Sequence, residues 1–191
     1  DFGSKASSIS HFALLYREMM TMSGDGLAII VDNDVRAVLS MGERCYTMGG
    51  SSGAQVSIMK QIIAWGGSGF AVTPTNLAAM RYVMAQCPKS AKSIAFLPQA
   101  SLEDPRYIVQ FYALCQHLGL KGHVLSLFGR VQDGWQKMLL EQDIIVVGGG
   151  NTKSMLALWR AWGVDAILDE AYHRGVVLTG GSAGAICWFE Q

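Results

Sequence analysis

The run Gly180-Gly181-Ser182-Ala183-Gly184 carries the strongest chemical signal in the sequence. A Gly-x-Ser-x-Gly pattern between a β-branched stretch, Val176-Val177-Leu178-Thr179, and a helical one has the form of a nucleophile elbow. The tight strand-to-helix turn of such an elbow strains the serine backbone and exposes its Oγ. Glycine is favoured on both sides because a Cβ would crowd the turn. The letters alone are weak, since Gly49-Gly50-Ser51-Ser52-Gly53 fits them too. That run precedes a predicted strand, so Ser51 has no helix N-terminus behind it. Context keeps Ser182 and rejects Ser51.

A second loop supplies what the elbow lacks. Gly148-Gly149-Gly150-Asn151-Thr152 follows the apolar run Ile144-Ile145-Val146-Val147 and opens a helical stretch. Glycines in that position present free backbone N–H groups to a developing oxyanion. Gly149 and Gly150, with the N–H of Ala183, are the predicted oxyanion hole, and Asn151 and Thr152 the predicted substrate contacts. The same loop could instead cradle a phosphate in a small-ligand or nucleotide-binding module. No Gly-Lys-Ser/Thr follows it, however, and residues 66–70 do not complete G-x-G-x-x-G.

A serine nucleophile needs a base within hydrogen-bond reach, most often histidine. His173 ends the helix before the Ser182 strand, His117 ends a helix and His123 opens a strand, so all three fall at the wrong strand end. The fourth histidine, His11, lies outside the alternating strands and helices. The sequence predicts no metal site and no cofactor.

The elements that must position these residues follow from periodicity. From about residue 58, predicted strands at 58–65, 93–97, 123–127, 143–147 and 175–179 alternate with helices. The helices are predicted at 76–85, 105–118, 135–141 and 154–173, the last broken near Gly163. This alternation predicts a doubly wound α/β domain with a mainly parallel sheet and helices on both faces. Ligands of such sheets bind at the carboxyl ends of the strands, where the loops 66–69, 98–101, 148–152 and 180–185 are small and polar.

Residues 1–48 behave differently. A helix is predicted at 9–22, where Met19, Met20 and Met22 are core or partner-facing filler. Strands at 27–31 and 35–39 are joined by Asp32-Asn33-Asp34, which lacks the Gly and Glu of a calcium loop and reads as a turn. A β-hairpin at one edge of the sheet is therefore expected. Residues 49–57 have linker composition, and 58–191 form the α/β part of a single domain spanning 1–191.

Composition excludes several classes. Fifteen Lys+Arg balance fifteen Asp+Glu with no basic cluster, which removes the electrostatic case for nucleic acid. With 50% hydrophobic and 16% charged residues the chain can bury a core, yet no apolar run is long enough to span a bilayer. Cys45, Cys87, Cys115 and Cys187 are too scattered for a zinc knuckle or a disulfide framework. Reduced buried thiols are expected and, with no signal-peptide pattern at the start, a cytoplasmic location.

Gly148-Gly149-Gly150-Asn151-Thr152 with Met155-Leu156-Ala157-Leu158-Trp159, followed by Gly180-Gly181-Ser182-Ala183-Gly184-Ala185-Ile186-Cys187-Trp188, resembles the peptidase E family of serine peptidases. That family includes dipeptidase E and, more distantly, cyanophycinase. Ile62-Ile63-Ala64-Trp65-Gly66-Gly67-Ser68-Gly69-Phe70, Phe96-Leu97-Pro98-Gln99-Ala100-Ser101 and Leu125-Ser126-Leu127-Phe128 extend the resemblance over about residues 60–191. It implies a fold related to class I glutamine amidotransferases, Ser182 as nucleophile and a small peptide as substrate, and it leaves room for a homodimer. In the family, a stretch with the catalytic His, a helix and a terminal β-hairpin follow the elbow. Here the sequence ends nine residues past Ser182, and the helix and hairpin of residues 1–48 resemble that part placed in front, which makes His11, on that helix, the candidate base and Asp25 and Asp1 weaker candidates for an orienting acid. The expected organisation is a circular permutant, either active or a catalytically silent scaffold without its base.

Overall fold

The computed structural model describes residues 27–32, 37–41, 44–48, 61–65 and 70–188. Three strands come first: β1 (Leu27–Asp32), β2 (Ala37–Met41) and β3 (Arg44–Met48). Strands and helices then alternate through β4 (Gln61–Trp65), α1 (Pro74–Ala85), β5 (Ser93–Leu97), α2 (Pro105–Leu118) and β6 (Lys121–Val124). They continue through α3 (Trp135–Leu140), β7 (Ile144–Val147), α4 (Thr152–Trp162), α5 (Val164–His173), β8 (Val177–Gly181) and α6 (Ala183–Ile186). All eight strands join one sheet in the order β3-β2-β1-β4-β8-β7-β5-β6. The five strands β4, β8, β7, β5 and β6 are parallel, as the alternation predicts.

The expected edge hairpin is present and is larger than expected. β1 pairs antiparallel with both β2 and β4, and β2 pairs antiparallel with β3, so three strands extend the parallel sheet. β2 runs two residues past the end of the predicted strand at 35–39, whose first two residues lie outside the described residues. The predicted helix at 9–22, the Asp32-Asn33-Asp34 turn beyond Asp32, and the whole 49–57 linker lie outside the described residues.

Local chemistry sets the helix ends. Pro105 opens α2 behind Asp104, whose carboxylate accepts the Arg106 N–H at 2.8 Å. Asn151 caps α4 by accepting the Ser154 N–H at 2.9 Å. Gly163, at φ +69°, ends α4 and separates it from α5, which is the predicted break.

Residues of alternate parity in the central strands feed two cores. Ala95, Leu97, Ile145 and Val147 face Trp135, Leu139, Met155 and Trp159 of α3 and α4. Ile94, Phe96, Ile144 and Val146 face Met80 and Val83 of α1 and Phe111 and Leu114 of α2. Burial on both faces explains why these strands read as continuous apolar runs.

β6 departs from its predicted span, 123–127, because packing outweighs β-propensity at its start. A Cβ on Gly122 would sit 3.0 Å from Cys115 Sγ and from the Phe111 ring, so glycine lets β6 pass beneath α2. β8 likewise begins and ends two residues later than the predicted 175–179, so Gly180 and Gly181 close the strand.

At the amino-terminal end of β7, Asp143 ties two strands together. Its carboxylate accepts the Lys92 and Ser93 N–H groups at 2.9 and 3.0 Å and the Ser93 hydroxyl at 3.0 Å. Burial alone would raise its pKa, but these hydrogen bonds and the Lys89 ammonium outweigh burial and leave it lowered. A depressed carboxyl stabilises the fold above its unfolded pKa of about 3.9, and that contribution disappears as pH falls through the folded value. Asp143→Asn should therefore cost about 2 kcal/mol at pH 7, with the deficit shrinking in acid. Urea melts of both proteins at pH 7 and pH 3 check this.

Candidate active site

The elbow predicted at Ser182 is built. β8 ends at Gly181, α6 begins at Ala183, and Ser182 between them has φ +56° and ψ −118°. That conformation costs a residue with a side chain on the order of 1–3 kcal/mol. Hydrogen bonds on both sides hold it: the Ser182 N–H donates to the Trp65 carbonyl at 3.3 Å, and its carbonyl accepts from the Ala185 and Ile186 N–H groups at 2.9 and 3.0 Å.

The flanking glycines are required by contact. A Cβ on Gly184 would lie 2.1 Å from the Val147 carbonyl oxygen, and one on Gly180 would lie 2.5 Å from the Gly184 oxygen and 2.7 Å from that of Val147. The first turn of α6 thus seats directly on the end of β7.

The glycine loop after β7 comes up against Ser182. A Cβ on Gly149 would be 3.2 Å from Ser182 Cβ and 3.6 Å from its Oγ. Gly150, at φ +141°, passes so close to Ala100 that a Cβ would be 2.1 Å from its carbonyl oxygen. That oxygen accepts the Asn151 N–H at 2.8 Å, and the Gly148 N–H donates to the Leu97 carbonyl at 3.1 Å. Among the described residues, the N–H groups of Gly149, Gly150 and Ala183 donate to no backbone carbonyl. The Gly149 backbone and the Ala183 N–H therefore lie beside the Ser182 side chain, and N–H donors so placed can receive negative charge. Of the predicted substrate contacts, Asn151 is exposed with its side-chain oxygen engaged in capping α4, and Thr152 is half-buried in the first turn of that helix.

Two residues that support this arrangement were not singled out for that role by sequence reasoning. Gln99, fully buried after β5, donates from Nε2 to the Leu125 carbonyl at 2.6 Å and accepts the Trp159 Nε1–H at 3.2 Å. It joins the ends of β5 and β6 to α4. Glu103, at φ +58°, accepts from the Ser126 hydroxyl and from the Leu127 and Phe128 N–H groups. These carboxylate contacts replace a β ladder in 126–128. The only available signal was an amide and a carboxylate in a loop that otherwise reads as a turn.

The histidines of the described part lie where the sequence puts them. His117 is in the last turn of α2, His173 ends α5, and His123 is the third residue of β6, where burial and then Lys121 lower its pKa. None follows the carboxyl end of a parallel strand. His11, Asp25 and Asp1 lie outside the described residues. Three described thiols are held in the protonated, unreactive form: burial pushes Cys115 up to about 12, burial and Asp143 push Cys87 to about 11, and burial raises Cys187 too. No group of His, Cys, Asp and Glu among the described residues could hold a metal ion, and no described helix is long and apolar enough to cross a membrane.

The family model for peptidase family S51 matches residues 62–191. The chain belongs to that family. It is 47% identical over 133 residues to the uncharacterized peptidase YgaJ of Bacillus subtilis (strain 168), covering 70% of this chain and 58% of that protein. The chain thus spans somewhat over half the length of its curated relative. Among solved structures, it is similar to a protein from Listeria monocytogenes EGD-e assigned to peptidase E, at 25% identity and TM-score 0.48, over 58% of this chain and 55% of that one. A peptidase from an acI-B1 Actinobacterium gives 16% identity and TM-score 0.48, over 59% and 50% of the two chains. The S51 match covers the elbow, the glycine loop and all five parallel strands.

The contact between α6 and β7 makes a prediction that helix propensity contradicts. Alanine in place of glycine in a helix ordinarily stabilises by about 1 kcal/mol. Gly184→Ala should instead destabilise by about 3 kcal/mol, because the methyl meets a backbone carbonyl that cannot move aside. Chemical denaturation of the purified variant measures the sign directly.

Proposed function

We propose that this S51 chain is a serine-type hydrolase of small peptides, with Ser182 Oγ as its nucleophile. The observation that carries the reading is the strained Ser182 turn with the Gly149 backbone packed against it. In this mechanism Oγ attacks the scissile carbonyl carbon while a base removes the hydroxyl proton. The carbonyl oxygen, now negative, accepts from the N–H of Ala183 and from that of Gly149 or Gly150. Collapse of the tetrahedral intermediate expels the amine, which takes the proton back from the base. Water then cleaves the acyl-serine ester by the same steps in reverse order.

The base in this reading is a histidine supplied from outside the described residues, and His11 is the candidate. The same reading treats residues 1–48 as the part that follows the elbow in the peptidase E family, brought in front by permutation. The antiparallel pairing of β1 and β2 beside β4 supports it, since that places a hairpin at the sheet edge adjoining the Ser182 strand pair.

A fluorophosphonate probe, with the adduct mapped by mass spectrometry, tests the proposal. Labelling at Ser182 that is lost in Ser182→Ala is expected. No labelling of a folded protein would identify a silent scaffold and overturn the proposal. His11→Gln should slow labelling by about 10²- to 10⁴-fold if His11 is the base, and an unchanged rate would remove it from that role. Gly149→Ala should slow labelling and lower folding stability together, because its methyl would lie 3.2 Å from Ser182 Cβ and 3.6 Å from Oγ and crowd the turn.

A further inference from the structure

The sheet has an open edge at β6. Among the described residues no strand lies beyond it, since the strand order ends β7-β5-β6. The Lys121 N–H donates to the Lys92 carbonyl at 2.8 Å and the Leu125 N–H to the Phe96 carbonyl at 3.0 Å, so residues 121, 123 and 125 turn their backbone groups toward β5. By the alternation of a parallel ladder, the N–H and C=O groups of Gly122 and Val124 point the other way, out of the sheet. Such an edge is a template for a further strand.

The helix above this edge carries an apolar stripe. Val109, Tyr112 and Gln116 of α2 follow one another at the spacing of a helix-pairing seam. Val109 is 67% and Tyr112 46% exposed, and Gln116 is exposed too. Cys115 Sγ reaches down to Gly122, and Tyr112 neighbours Cys115 on the helix surface one turn earlier, so the stripe flanks β6. It is also uncharged. α2 contains no Asp or Glu, and its Arg106 is engaged by Asp104 at 2.6 Å. On the opposite face of the sheet, α5 alone carries Asp165, Asp169 and Glu170. Exposed tyrosine without acidic neighbours has the composition of an interface core.

One symmetry operation serves both features. A two-fold axis perpendicular to the sheet beside His123 lays a second β6 antiparallel to the first. Gly122 of each copy then stands opposite Val124 of the other, and each pair exchanges both of its N–H···O=C bonds. The same rotation keeps both α2 helices on one face and sets them side by side and antiparallel, stripe against stripe. Their opposed dipoles attract and their uncharged side chains do not repel. A strand from any other protein would complete the edge and leave the stripe bare, so the occupant that fits both is a second copy of this chain.

We infer that the β6 edge and the α2 stripe form the interface of a symmetric homodimer whose sheet runs continuously through both copies. Ser182 follows β8, which β7 and β5 separate from the contact, so the dimer leaves the candidate active site open. The inference does not depend on the peptidase reading. α2 has 14 residues and so a length of about 21 Å. A contact of that length is at the small end of specific interfaces, and dissociation in the micromolar range is expected.

Sedimentation velocity of the full chain, at concentrations from about 1 to about 200 μM, is the test. A reversible monomer–dimer equilibrium is expected. Tyr112→Glu sets like charges together at the centre of the stripe, and Val124→Pro removes an edge N–H that β5 does not use. Each should raise the dimer Kd at least ten-fold, and the surface variant Tyr112→Glu carries the test if Val124→Pro does not fold. Trp162→Glu, at a 44% exposed side chain of α4 on the other face, should leave the Kd unchanged. His123→Cys should form a reducible covalent dimer in air that the parent chain does not form, because residues opposite one another beside the axis are within disulfide reach. A chain monomeric at every concentration, as it would be if another segment or a different protein covered the edge, overturns the inference. So does a dimer whose Kd is unchanged in Tyr112→Glu.

Discussion

Much of this molecule hangs on one close approach, that of the Gly184 backbone to the Val147 carbonyl. Contact at that distance admits no side chain, and it brings the first turn of α6 onto the end of β7 instead of leaving it above the sheet. Once α6 is seated there, the chain leaving β8 must reverse within a single residue, which drives Ser182 to positive φ. The strain at Ser182 is thus a consequence of packing, held by the Trp65 carbonyl on one side and the start of α6 on the other. The same seating brings Gly149, two residues beyond Val147, against the serine side chain. A hydroxyl and neighbouring N–H groups that donate to no backbone carbonyl among the described residues are fixed by strand ends buried on both faces, and an arrangement held so rigidly is suited to receiving charge.

The support for this arrangement is layered. Gly150 presses on Ala100, Gln99 ties that segment to β6 and α4, and Glu103 organises 126–128 in turn. The loops after β5, β6 and β7 therefore form one hydrogen-bonded unit behind the elbow. At the opposite end of the strands Asp143 does comparable work for the entries of β5 and β7. The sheet is clamped at both ends.

Legibility from sequence followed physical cause. The span 105–118 was readable to the residue, because Asp104-Pro105 and Gly119 are strong punctuation for a helix. The strand 93–97 was readable because its apolar run is bounded by polar residues. The elbow was readable because its glycines are demanded by local sterics that leave a sequence pattern. β3 escaped notice because Arg44 to Met48 has no alternating pattern, and it exists through pairing with β2. The Lys121-Gly122 start of β6 escaped because its glycine answers to Cys115 and Phe111, distant in sequence. Gln99 could be named as a member of a motif and Glu103 only as a carboxylate beyond it, but their partners at 125–128 and 159 are known only once the chain is folded. The same limit applies to the base: no spacing rule links Ser182 to a histidine elsewhere in the chain, so His11 rests on the resemblance of residues 1–48 to the part that follows the elbow in the peptidase E family.

The central claim is that Ser182 and the N–H groups of Ala183 and the glycine loop act on one substrate carbonyl. A high-resolution crystal structure of the fluorophosphonate adduct tests it most directly. The account predicts phosphorus bonded to Ser182 Oγ, with one phosphonyl oxygen within about 3.1 Å of the Ala183 nitrogen and of the Gly149 or Gly150 nitrogen. An adduct on another residue, or one whose phosphonyl oxygens point away from all three N–H groups, would contradict it.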